Sequence, residues 1–124
     1  MNVKRWLKMR IDLRRMQRVL GIKLKRFQRK AALMDKSPIE VLREWGRGSG
    51  KTTIAIIWMA LHEERNEIRM YGRSRMNYPG EKFPNFIPDP DISTVQQYNF
   101  TFKEAKRMCE MFKRHGIRVP ELVF

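Results

Sequence analysis

The residues in this chain best suited to chemistry lie in EWGRGSGKTTIAII, 44 to 57, where three alternate glycines precede Lys-Thr-Thr and an apolar run. An ATP triphosphate needs several backbone N–H groups converging on its oxygens, a cation on its β- and γ-phosphates and a hydroxyl on its Mg²⁺. Gly46, Gly48 and Gly50, with Arg47 and Ser49 between them, allow a tight turn with inward N–H groups, because a residue without Cβ reaches φ > 0 and approaches a ligand closely. Lys51 would supply the cation and Thr52 the hydroxyl, and the positive end of the helix starting there adds its dipole. The spacing predicts a phosphate-binding loop with ATP and Mg²⁺ as cofactors. One position departs from the pattern: G-x-x-x-x-G-K-[ST] counted back from Gly50 asks for glycine at 45, where Trp45 stands.

A loop of this kind is fed by a strand and feeds a helix. Residues 39–44 read two ways. Ser37-Pro38-Ile39-Glu40 is a helix-start signature, whereas Ile39, Val41 and Arg43 alternating with Glu40, Leu42 and Glu44 is the pattern of a strand. The loop's requirement decides for the strand. After the loop, a helix is expected from Thr52 to about Glu67, burying Ile54, Ile57, Trp58 and Leu61. Periodicity then vanishes: Gly72 to Asp91 holds four of the six prolines and reads as one long loop. ISTVQQYNFT, Ile92 to Thr101, reads as a strand. FKEAKRMCEMFKRHG reads as a helix with Ala105, Met108, Cys109 and Phe112 on one face, and Ile117 to Phe124 as the start of another strand.

Upstream of the loop the chain is strongly basic. Residues 1–30 hold twelve basic residues and only Asp12 as an acid, and so account for most of the net charge of +14. Trp6, Met9, Leu13, Met16 and Leu20 recur every three or four residues, which predicts a basic amphipathic helix ended by Gly21. A second short helix is expected over Phe27 to Met34. Charge of this kind points to a polyanionic partner, with Arg10, Arg14, Arg15 and Arg18 as its nucleic-acid contacts. The single cysteine, Cys109, makes no metal-ligand spacing with His62 and His115 and fits a reducing compartment. No apolar run approaches a membrane span.

GRGSGKTT, Gly46 to Thr53, resembles the loop of the large terminase subunits of tailed bacteriophages, the ATPases that pump DNA into capsids. Those loops commonly lack the first glycine and carry an arginine just inside. The resemblance implies that Arg47 acts on the γ-phosphate, where a guanidinium can stabilise charge spreading over the equatorial oxygens. LGIKLKRFQRKAAL, Leu20 to Leu33, is similar to the segment upstream of the terminase loop, and implies that Gln28 reads the adenine edge. YNFTFKEAKRMCEMF, Tyr98 to Phe112, is similar to the second strand and helix of that ATPase core, with Thr101 at the strand's end or as a helix cap. The implied partners are double-stranded DNA, a portal protein, a small terminase subunit and further copies of the chain, in the cytoplasm of a bacterial host.

On this reading residues 1–21 are a basic arm and residues 22–124 a truncated ATPase core. The expected fold class is α/β, a partial P-loop NTPase with a short, mainly parallel sheet flanked by helices. The acid that would hold Mg²⁺ should end an apolar strand. Asp89 and Asp91 in FIPDPDIS and Glu121 in VPELVF do not, so nucleotide binding with little hydrolysis is expected. Two other readings use the same residues: a small basic nucleic-acid or membrane-surface binder, and a fragment of a helicase-like ATPase.

Overall fold

The computed structural model describes residues 3–62, 67–69, 89–92 and 94–123. Among the described residues five helices and two short strands follow in the order α1 (Val3–Leu20), α2 (Arg26–Ala32), α3 (Ile39–Arg43), α4 (Lys51–Leu61), β1 (Glu67–Arg69), α5 (Val95–Arg114) and β2 (Glu121–Val123). The fold is helical around a buried central helix. In α4 every residue from Ile54 to Leu61 is buried, the pattern of a helix covered all round. The covering comes from α1, α2 and α5, each packed on α4, while α1 also packs on α5. Full burial of Ile54, Ile56 and Ile57 contributes roughly 1.5–3 kcal/mol per side chain before ordering entropy.

The basic N-terminal helix forms as its spacing predicts and is part of this core. Met9, Leu13 and Met16 are buried, and the Trp6 end of the stripe is 40% exposed. Gly21 N–H donates to Arg18 O and Ile22 N–H to Gln17 O, which closes α1. Trp58 Nε1 donates to Met34 O at 2.7 Å and so ties α4 to the segment after α2.

The expected α/β architecture is overturned. Among the described residues, strand pairing is confined to a parallel ladder of three residues on each side, Glu67 to Arg69 against Glu121 to Val123. Residues 39–43, expected as the strand feeding the loop, form α3. The local helix-start chemistry prevails there: Ser37 Oγ accepts from Ile39 N–H at 3.4 Å, Leu42 N–H donates to Pro38 O, and Arg43 pairs with Glu40 one turn away. Leu42 is fully buried and Val41 is 39% exposed. The loop's requirement for a strand was an argument from the motif and carries no energy in the chain itself.

The second expected strand, 92–101, is corrected likewise. Thr94 caps α5 by accepting from Gln97 N–H at 3.1 Å, and the helix runs from Val95 through Thr101 to Arg114. Thr101 is therefore an interior helix residue, neither the end of a strand nor a cap. Helix α4 stops at Leu61, short of Glu67, which opens β1. Of the expected loop Gly72 to Asp91, residues before Asp89 lie outside the described residues.

Candidate functional site

The loop between α3 and α4 is held from two sides. Trp45, at the position where the motif expects glycine, stacks edge-on against Phe27 of α2, with ring centroids 4.8 Å apart and planes at 78°. The aromatic pair anchors the start of the loop to α2, so Trp45 acts through packing where a glycine acts through conformational freedom. At the other end, Gln28 Nε2 donates to Ser49 O at 2.9 Å while Gln28 Oε1 accepts from Lys25 N–H at 2.8 Å. Ser49 Oγ donates to Gly46 O at 2.6 Å and closes the turn on itself.

Gly50 requires its residue type. It sits at φ 82°, ψ 25° immediately before α4, a left-handed conformation costly for residues with a Cβ. A Cβ there would also stand 3.2 Å from Gln28 Nε2. The first bond of α4 runs from Ile54 N–H to Gly50 O at 2.9 Å, so the N–H groups of Lys51, Thr52 and Thr53 form the helix's positive end.

The side chains at that end meet two carboxylates. Thr52 Oγ1 donates to Asp89 Oδ2 at 2.8 Å, and Lys51 Nζ pairs with Asp91 Oδ1 at 3.2 Å. Asp89 is 2% exposed. Its carboxylate also accepts from Thr101 Oγ1 at 3.0 Å and from Asp91 N–H at 3.0 Å. These three donors are what allow a carboxylate to be buried. The Lys51 side chain is 13% exposed and that of Asp91 48%, so the ion pair lies at the mouth of the site.

The Thr52 hydroxyl and the Asp89 and Asp91 carboxylates are hard oxygen donors beside the Lys51 cation and a helix N-terminus. Mg²⁺ is characteristically held by one or two carboxylates together with substrate phosphates and waters. Thr52 and Asp89 fit that requirement as a pair. Among the described residues no group of three or more His, Cys, Asp or Glu side chains is placed to hold a metal ion.

The other expected site residues divide. Gly46, Arg47 and Gly48 lie exposed on the loop, and Thr53 is half-buried in the first turn of α4. Gln28 is placed against the loop, with its amide engaged by Ser49 and Lys25 as a brace. Arg10, Arg14 and Arg18 are exposed on α1, but Arg15 Nη2 donates to His115 O at 3.0 Å and fastens α1 to the end of α5. The residue that sequence reasoning passed over is Asp89. The available signal was an Asp-Pro-Asp in a chain with 13 acids, discounted because no apolar strand precedes it.

Comparison with protein-family models, curated protein sequences and solved structures found no match to this chain.

Proposed function

We propose that this chain binds Mg²⁺·ATP at the start of α4, as the nucleotide-binding piece of a DNA-translocating motor. The observation that carries the reading is the convergence of Lys51, Thr52 and Asp89 beneath a glycine-rich loop whose last residue is left-handed. The backbone N–H groups of the loop and of the first turn of α4 receive phosphate oxygens. Lys51 neutralises the outer phosphates, Thr52 and Asp89 hold Mg²⁺, and Arg47, exposed on the loop, reaches the terminal phosphate. Gln28 braces Ser49, so on this reading its first role is to hold the loop's shape.

The motor context rests on the resemblance of GRGSGKTT to terminase loops, and double-stranded DNA is the partner it implies. On this reading Asp91 must release Lys51 before the terminal phosphates can take its charge. Among the described residues no helix is long and apolar enough to cross a membrane.

The test is a titration of a fluorescent ATP analogue, with and without Mg²⁺, into the wild-type chain, Lys51→Ala and Arg47→Ala. Saturable, Mg²⁺-dependent binding that Lys51→Ala abolishes is expected. A folded wild-type chain that binds no nucleotide overturns the reading.

A further inference from the structure

A second candidate site shares no lining residue with the loop at α4. Helices α1 and α2 both pack on α4, and between them opens a cleft of about 570 Å³. Its walls carry Arg10, Arg14, Lys23, Arg26, Arg29 and Lys30, and none of the described residues lining it is acidic. All six cations are exposed. Six positive groups facing one cleft repel one another in the free protein, and a ligand bearing several negative charges relieves that repulsion.

The cleft is not uniformly polar. Buried Leu13 and half-buried Leu33 contribute apolar surface, and Trp6, 40% exposed, forms part of its lining. Arg10 lies over the Trp6 ring with its guanidinium carbon 4.7 Å from the centroid. Cations that track a backbone, together with an accessible aromatic and a guanidinium plane, are the parts of a single-strand site, in which phosphates pair with the cations and bases stack on the rings. A duplex presents its phosphates on a convex surface and hides its base faces, so it would leave the apolar lining and Trp6 unused.

The cleft is also held in shape before any ligand arrives. Gln17 Oε1 accepts from Leu24 N–H at 2.8 Å, and Arg29 Nη1 donates to Leu24 O at 2.6 Å. These bonds fasten the segment between α1 and α2 to both helices. The cost of ordering the walls on binding is correspondingly small.

We infer that the α1–α2 cleft binds a single-stranded nucleic acid, its phosphates on the six cations and a base against Trp6 and Arg10. This site is separate from the loop at α4 and needs neither nucleotide nor Mg²⁺.

The experiment is fluorescence anisotropy of a labelled oligothymidylate of a dozen nucleotides, in EDTA and without ATP, with a duplex of equal length in parallel. Against rising salt, the wild-type chain is expected to show a log–log slope approaching about 4, at ~0.7 per phosphate neutralised in single strands. Replacing Arg14, Arg26 and Lys30 by Ala should lower that slope by about 2. The same loss of charge on α5, Lys103, Lys106 and Lys113 to Ala, should leave the slope near the wild-type value. Trp6→Ala should weaken binding about tenfold, and the oligonucleotide should quench tryptophan emission in the wild-type chain but much less in Trp6→Phe. The inference is overturned if the duplex binds as tightly as the single strand. It is also overturned if the α5 variant loses as much slope as the cleft variant, or if anionic phospholipid vesicles bind and the oligonucleotide does not. Because nucleotide is absent, failure here leaves the reading of the loop untouched.

Discussion

Asp91→Asn should tighten nucleotide binding. In the structure Asp91 holds Lys51 at 3.2 Å, and Lys51 is the cation that the proposed reading assigns to the phosphates. Binding must therefore exchange one anion for another. With Lys51 mostly buried and Asp91 half exposed, solvent screens the pair, and its net worth falls at the upper end of exposed ion pairs, about 1 kcal/mol. Removing the charge while keeping the shape returns that amount to the nucleotide, an increase in affinity of up to about fivefold. The assay is the fluorescent ATP titration with Mg²⁺, run on the wild-type chain and Asp91→Asn at low and high salt. The advantage should shrink near ~1 M salt, where the Debye length is only about 3 Å. Weaker binding by Asp91→Asn would refute the reasoning, because it would make Asp91 a ligand of the metal and not a competitor for Lys51.

Three further perturbations probe the site and its supports. Gly50→Ala should destabilise the fold by roughly 1–2 kcal/mol from the left-handed backbone alone, and more through the contact with Gln28. Urea unfolding of Gly50→Ala, Gln28→Ala and the double variant should show the Gln28 part relieved in the double, and strict additivity would contradict the contact. Thr101→Val removes one of the three donors on buried Asp89 and should cost roughly 1–3 kcal/mol, read as a lower urea midpoint at unchanged slope. Cys109, 3% exposed, has its thiol pushed from 9.0 up to about 11, chiefly by burial, with Lys113 opposing and Glu110 adding. The folded state thus favours the neutral thiol, so stability from this group is intact below pH 9 and is lost as pH climbs from about 9 to 11, by roughly 3 kcal/mol in all. Comparing wild type with Cys109→Ala across that range isolates the effect, and parallel curves would contradict it.

The strand expectations failed for a physical reason that the individual segments make plain. At 39–44 the Ser-Pro-Ile-Glu start signal stands against the strand that the loop motif asks for, and at 92–101 the structure puts Thr94 at the cap of a helix where the sequence reads as a strand. The hydrogen bonds that Ser37 and Thr94 accept from backbone N–H groups span two or three residues and need no partner element. A strand needs a neighbour to pair with, and the motif alone does not supply one.

Asp89 shows the opposite limit. Beyond its Asp-Pro-Asp setting, local sequence does not mark Asp89 as belonging to the site, since its side-chain partners Thr52 and Thr101 stand 37 and 12 positions away. Only the packing of α5 and α4 brings those hydroxyls to one carboxylate. Trp45 was visible as an anomaly, but its partner Phe27 lies on another helix, so the reason for the anomaly was not.

What the sequence determined by itself was local or additive. The period of α1, its stop at Gly21, the charge concentrated in residues 1–30 and the glycine spacing that permits Gly50 its left-handed turn all depend on neighbours within one or two helical turns. Tertiary structure decided the rest: that α4 is wrapped by α1, α2 and α5, that Lys51 and Thr52 meet Asp91 and Asp89, that Gln28 braces Ser49, and that the basic residues of α1 and α2 face one cleft. Those facts depend on which surfaces can be buried together, a property of the whole chain that spacing along it does not encode.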